Sequence, residues 1–120
     1  FIQGPVVLFK YRNEEGWPVE YASENVAEVL GHTAKEFKKS RVKYIDLIHE
    51  EDFEMVSQEA RTYDQKGVSH FIHSPYRIRR KDNSIRWVSV NTQIVRNKDN
   101  SISHYLCYII DITEFKKTQH

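Results

Sequence analysis

The run YRIRRKDNSIRWVSVNTQIVRNKDNSISHYLCYIIDITEFKK, Tyr76 to Lys117, decides the fold. Three β-prone runs, roughly Ser69 to Arg80, Ser84 to Arg96 and Ile102 to Ile112, are separated by two near-identical polar turns. The turns are Lys81-Asp82-Asn83-Ser84 and Lys98-Asp99-Asn100-Ser101. Asn and Asp tolerate positive φ, so both predict tight hairpins and the three runs an antiparallel meander. Pro75 lies inside the first run. It has no N–H to give to a ladder, which predicts a bulge or an unpaired edge position there. The sequences flanking the two turns do not match, so turn chemistry recurs without an internal repeat.

Upstream, Val6 to Arg12 and Val19-Glu20-Tyr21 read as two short strands around the turn Asn13-Glu14-Glu15-Gly16. Ser23-Glu24-Asn25 offers N-caps to a helix carrying Val26, Val29 and Leu30, which Gly31 ends. Thr33 and Glu36 have capping-box spacing for a helix over Ala34 to Lys38. Tyr44 to Ile48 is a short apolar turn. His49-Glu50-Glu51-Asp52 opens the longest helix, to about Lys66, with its acidic residues at the positive end of the dipole. Phe53, Val56, Ala60 and Tyr63 form one stripe on it, and Gly67 stops it. The order β-β-α-α-α-β-β-β predicts an α+β fold: a five-stranded antiparallel sheet with helices packed on one face.

The 120 residues suit one domain with one core. A net charge of +1 gives no field that would favour nucleic acid or an anionic membrane. No apolar run approaches the ~18 residues of a membrane span. The lone Cys107 cannot form an internal disulfide, which suits a reducing cytoplasm. Phe1 in place of an initiator methionine suggests an excised segment.

Several motifs occur together in order. They are Tyr21-Ala22-Ser23-Glu24-Asn25, Val29-Leu30-Gly31-His32, His49-Glu50-Glu51-Asp52, Tyr76-Arg77-Ile78 with Lys81 to Val88, and Asp111-Ile112-Thr113-Glu114. In this order they resemble a PAS domain (the sensory box family) over nearly the whole chain. Glu50 stands where the family's long-helix motif has proline. The resemblance implies a cytoplasmic, non-catalytic sensor or dimerisation module over residues 1–113, with 114–120 starting a linker. It also implies an effector in the same chain, a diguanylate cyclase or a histidine kinase, and a homodimer. No cysteine lies at Ser40-Arg41-Val42-Lys43, where flavin-photochemistry relatives carry Asn-Cys-Arg, so a covalent flavin is not expected. Haem is not expected either, since Glu51 to Lys66 contains no histidine. Any other cofactor is left open.

Strand alternation separates the two sheet faces. Val88, Val90, Thr92 and Ile94 form the drier face of the middle strand and are placed inward. By resemblance Tyr105, Cys107 and Ile109 join them on the pocket side. Together with Phe53, Val56, Ala60, Tyr63, Tyr76, Ile78, Val88, Val90 and Thr92 they make the candidate ligand pocket. Tyr63, Tyr76 and Tyr105 are expected to converge there, lining either a cavity with polar handles or a filled core. The opposite face groups Trp87, Leu106, Tyr108 and Ile110, an apolar patch predicted to meet either a second protomer or a flanking helix.

Other constellations read as structural. Cys107 reads as a small core residue. His49 reads as a solvent-facing or capping histidine. His70 and His73 lack the third ligand that a metal needs. Arg77, Arg79, Arg80, Lys81 and Arg86 read as a salt-bridged edge, since Tyr76 and Trp87 fall in different environments. A His49–Asp52 acid/base pair in a small enzyme would require both to face a cavity. Asp111 and Thr113 mark the signal exit. Asp111 is expected to accept backbone N–H bonds and to form an exposed ion pair, worth only ~0–1 kcal/mol.

Overall fold

A computed structural model describes residues 5–117. Residues 1–4 and 118–120, the outer ends of the domain and linker assigned above, lie outside the described residues. The chain runs through β1 (Val6–Arg12), β2 (Val19–Ala22), α1 (Val26–Leu30), α2 (Ala34–Lys38) and a 3-10 turn over Tyr44–Leu47. The long helix α3 (Phe53–Lys66) follows, then β3 (His70–Ile72), β4 (Tyr76–Arg79), β5 (Ile85–Arg96), β6 (Ile102–Asp111) and the short α4 (Thr113–Lys117).

The strands form one antiparallel sheet ordered β2-β1-β6-β5-β3, with β4 also pairing with β5. Six strands are present where five are expected, because the run before the first hairpin is cut in two. Both halves stay on β5, with Ile72 opposite Asn91 and Tyr76 opposite Val88. Pro75 has no donor to give between them. The Ser74 N–H also leaves the ladder and donates to Glu59 Oε1 of α3 at 3.1 Å. The break is therefore held by a helix carboxylate.

The two Lys-Asp-Asn-Ser turns adopt one geometry. Asn83 and Asn100 sit at φ 70° and 73°. Asp82 accepts from the Ser84 N–H at 2.9 Å, and Asp99 from the Ser101 N–H at 3.0 Å. The same four residues fold the same way because each bond is local to the turn. Elsewhere, Gly31 ends α1 at φ 83°, where a Cβ would come within 3.1 Å of Lys81. The Thr33–Glu36 capping box is formed in both directions.

The core lies between the inner sheet face and α1, α2 and the 3-10 turn. Phe9 meets Phe37 edge-on at 4.8 Å, and Val7, Leu30, Ile78 and Val88 are fully buried. A second cluster gathers Phe71, Ile94 and Tyr105 under the C-terminal half of α3. All four inward assignments on β5 and all three on β6 are buried.

Candidate functional site

Between the two clusters the packing opens. A cavity of about 170 Å³ lies on the inner sheet face, roofed by α3. Val56 and Ala60 of α3 line it from above, and Val90, Thr92, Cys107 and Ile109 from below. Tyr76, Tyr105 and the exposed Phe53 complete the part of the wall named from sequence. Ile78 and Val88 are not in the wall; they are packed in the core beside it. Tyr63 is not in it either. Its ring stacks flat on Phe71 at 4.6 Å. The three tyrosines thus diverge: the Tyr76 hydroxyl meets that of Tyr44 at 2.7 Å, while Tyr105 donates to Asp64 Oδ2 at 2.9 Å.

Sequence reasoning missed Phe9, Tyr11, Phe37, Tyr44, Asp64 and His73, all in the wall. The alternation Val7, Phe9, Tyr11 along β1 could have revealed two of them. Tyr44 sits in a turn without periodicity and gave no such signal. Burial pushes the hydroxyls of Tyr11, Tyr44, Tyr76 and Tyr105 and the Cys107 thiol above their ordinary pKa values. The wall is therefore neutral over most of its surface at physiological pH.

The base of the β4–β5 hairpin is built in the opposite way. Asp52, at the start of α3, does not cap the helix with its side chain. Its carboxylate takes the Arg77 backbone N–H at 2.8 Å and the guanidinium at 2.7 and 3.0 Å. The bonds from Arg77 hold the Asp52 carboxyl below its usual range. His49 is buried rather than solvent-facing, and its Nδ1 accepts from the Glu51 N–H at 3.1 Å, in the turn before the helix rather than on its first N–H groups. Neither His49 nor Asp52 lines the cavity, so the geometry that an acid/base pair would need is missing. Arg79 pairs with Glu50, holding the Glu50 carboxyl at about 2. The basic residues of this hairpin are thus largely committed to carboxylates.

His70 is exposed, whereas His73 is buried with Nδ1 2.8 Å from Glu59 Oε1. No group of three or more potential metal ligands occurs among the described residues.

The exit is stapled to β5. Asp111 Oδ1 accepts from the Thr113 N–H at 2.9 Å, and Oδ2 from Arg86 Nε at 2.7 Å. Thr113 Oγ1 in turn accepts from the Trp87 N–H at 2.8 Å. The expected exposed ion pair is instead half-buried, with the Asp111 side chain only 13% accessible. Burial alone would raise the Asp111 pKa, but Arg86 and the Thr113 N–H outweigh it and hold it low. The Trp87 ring lies between Arg77, at 5.5 Å, and Lys116 of α4, at 4.4 Å. A line of contacts thus runs from Asp52 through Arg77 and Trp87 to α4. On the rest of the outer face, Leu106 and Ile110 are half-buried and Tyr108, opposite Leu8 of β1, is exposed.

Residues 19–109 match the PAS fold family. Over 116 residues the chain is 36% identical to the methyl sulfide methyltransferase-associated sensor of Methanosarcina acetivorans. The match covers 97% of this chain and spans 11% of that protein's length. Among solved structures, the N-terminal domain of a diguanylate cyclase with PAS/PAC sensor from Marinobacter aquaeolei superposes with a TM-score of 0.79. Its sequence identity is 18%, covering 93% of this chain and 99% of that one. A sensory box histidine kinase/response regulator from Burkholderia thailandensis superposes with a TM-score of 0.75 at 18% identity, covering 95% and 82%. At these identities the structures share the fold.

Proposed function

Because the chain belongs to the PAS fold family, a family of sensory rather than catalytic modules, we propose that its cavity binds a small molecule. Binding is relayed through Asp111 and Thr113 to an effector domain in the same chain. The observation that carries this reading is the cavity of about 170 Å³ beneath α3. A void of roughly 150 Å³ lined by apolar groups is large enough for a benzene-sized ligand. The competing reading, a structural dimerisation module with a filled core, predicts close packing where this opening lies.

A ligand shifts a conformational equilibrium only through unequal affinity for its two states. A tenfold shift needs about 1.4 kcal/mol of difference. The contacts Asp52–Arg77–Trp87–Lys116 join the roof of the cavity to the exit helix, which supplies a route for that difference. The effector is a diguanylate cyclase or a histidine kinase, and the domain works in the cytoplasm as a homodimer through Trp87, Leu106, Tyr108 and Ile110. No helix among the described residues is long and apolar enough to cross a membrane. The test is thermal melting against a panel of small metabolites, with Ala60→Leu as a variant whose cavity is filled. Stabilisation of the wild type that Ala60→Leu abolishes supports the reading. Equal melting throughout, in both proteins, favours the structural module.

A further inference from the structure

The hydrogen-bond inventory of the cavity wall goes further. Tyr11, Tyr44, Tyr76, Thr92 and Cys107 all line the cavity, and each carries one donor hydrogen. Among themselves they make three bonds: Tyr44 Oη to Tyr76 Oη at 2.7 Å, Thr92 Oγ1 to Cys107 Sγ at 3.5 Å, and Cys107 Sγ to Tyr11 Oη at 3.6 Å. Each bond uses one hydrogen, so two have no acceptor among the described residues. Whichever tyrosine of the Tyr44–Tyr76 pair donates, the other keeps its O–H. The thiol donates to Tyr11, so Tyr11 keeps its own as well. Buried donors without acceptors are costly, and native interiors rarely leave them so.

The charges of the wall decide what kind of acceptor suits them. Asp64 also lines the cavity. Its Oδ2 accepts from Tyr105, and its Oδ1 is buried without a partner among the described residues. An anionic ligand would meet this carboxylate. No arginine lines the cavity, and the one lysine in the wall, Lys43, is exposed. His73 is already engaged with Glu59. Burying an anion without a paired cation is strongly unfavourable.

Building on the ligand-pocket reading above, we infer that the ligand is a small neutral molecule with an apolar body and a carbonyl or ether oxygen. That oxygen accepts from Tyr11 and from the Tyr44–Tyr76 pair. The volume limits the body to roughly the size of benzene or cyclohexane.

The test uses four probes of one shape: cyclohexanone, its isostere methylenecyclohexane, cyclohexanecarboxylate and cyclohexylammonium. Dissociation constants are read by amide NMR titration of the 120-residue chain and of Tyr44→Phe/Tyr76→Phe. Removing both hydroxyls together leaves no orphan on the pair, so the variant should stay folded. The ratio of ketone to alkene affinity should fall about fivefold in the variant, with alkene binding retained. Tyr11→Phe provides a second, independent loss should the double variant melt early. Ketone and alkene binding in an unchanged ratio overturns the acceptor inference while leaving the pocket reading intact. Tighter binding of either charged probe overturns the neutrality. If none of the four shifts the amides around the cavity, the pocket reading falls, and this inference with it.

Discussion

The cavity beneath α3 and the base of the β4–β5 hairpin lie on one sheet and are built on opposite principles. At the cavity the helix stands off from the strands, and hydroxyls outnumber their acceptors. At the hairpin base nearly every polar group is bonded: Asp52 to Arg77, Glu50 to Arg79, Asp111 to Arg86 and Thr113. A loosely filled region can respond to what enters it. A tightly bonded one can carry a displacement without absorbing it. The same contrast divides the fully buried Ile78 from Ala60, although both were assigned to one pocket from sequence.

The contrast should appear most strongly in core truncation. Ile78→Ala, at a position with no accessible surface, should cost about 2–5 kcal/mol in urea unfolding. Ala60→Leu adds as many atoms as Ile78→Ala removes, yet should change stability by less than ~1 kcal/mol because the cavity receives them. An ordinary overpacked core would lose about 1–3 kcal/mol. A loss in that range for Ala60→Leu would break the comparison.

Asp111→Ala should cost about 1–3 kcal/mol, since Arg86 and the Thr113 N–H lose a half-buried partner. The folded-state pKa of Asp111 is depressed, so its stabilisation is complete above the unfolded value of about 3.9. It is lost as the pH falls through the folded value. The gap between wild type and variant should therefore be flat from about pH 7 to 5 and close below about pH 4. A gap that is constant down to about pH 2 would remove the charge from the explanation.

The smallest expected loss from a truncation sharpens the other side of the comparison. Asn83→Ala and Asn100→Ala should each cost about 1 kcal/mol, because both residues have positive φ. Chemical denaturation should show near-equal losses, since the two turns have the same geometry. If Asn83→Ala cost far more, the first hairpin would depend on its turn in a way that the second does not.

Much of the fold could be read from sequence because its signals are local. The two Lys-Asp-Asn-Ser turns, the Thr33–Glu36 box, Gly31 and Gly67 each act within a few residues. The alternation of β5 also placed Val88, Val90, Thr92 and Ile94 inward, where they are found. What escaped was set by tertiary partners. Pro75 predicted an irregularity, but the break into β3 and β4 also depends on Glu59, fifteen residues upstream of Ser74. Asp52 has the position of a helix cap, yet it serves Arg77, which only the folded sheet brings near. The cavity wall was legible where it lies on periodic elements and not at Tyr44, whose turn has no period. Tyr63 kept its helical spacing, but Phe71 captured its ring.

The central claim is that occupancy of the cavity is felt at the exit. The most direct measurement follows backbone amide shifts while wild type and Asp111→Ala are titrated with cyclohexanone. In wild type, the amides of Val90 and Thr92 at the cavity and of Trp87, Ile112 and Thr113 at the exit should saturate at one ligand concentration. In Asp111→Ala the cavity amides should still saturate, while the exit response shrinks. Cavity amides that saturate in wild type while Trp87, Ile112 and Thr113 stay still would contradict the account.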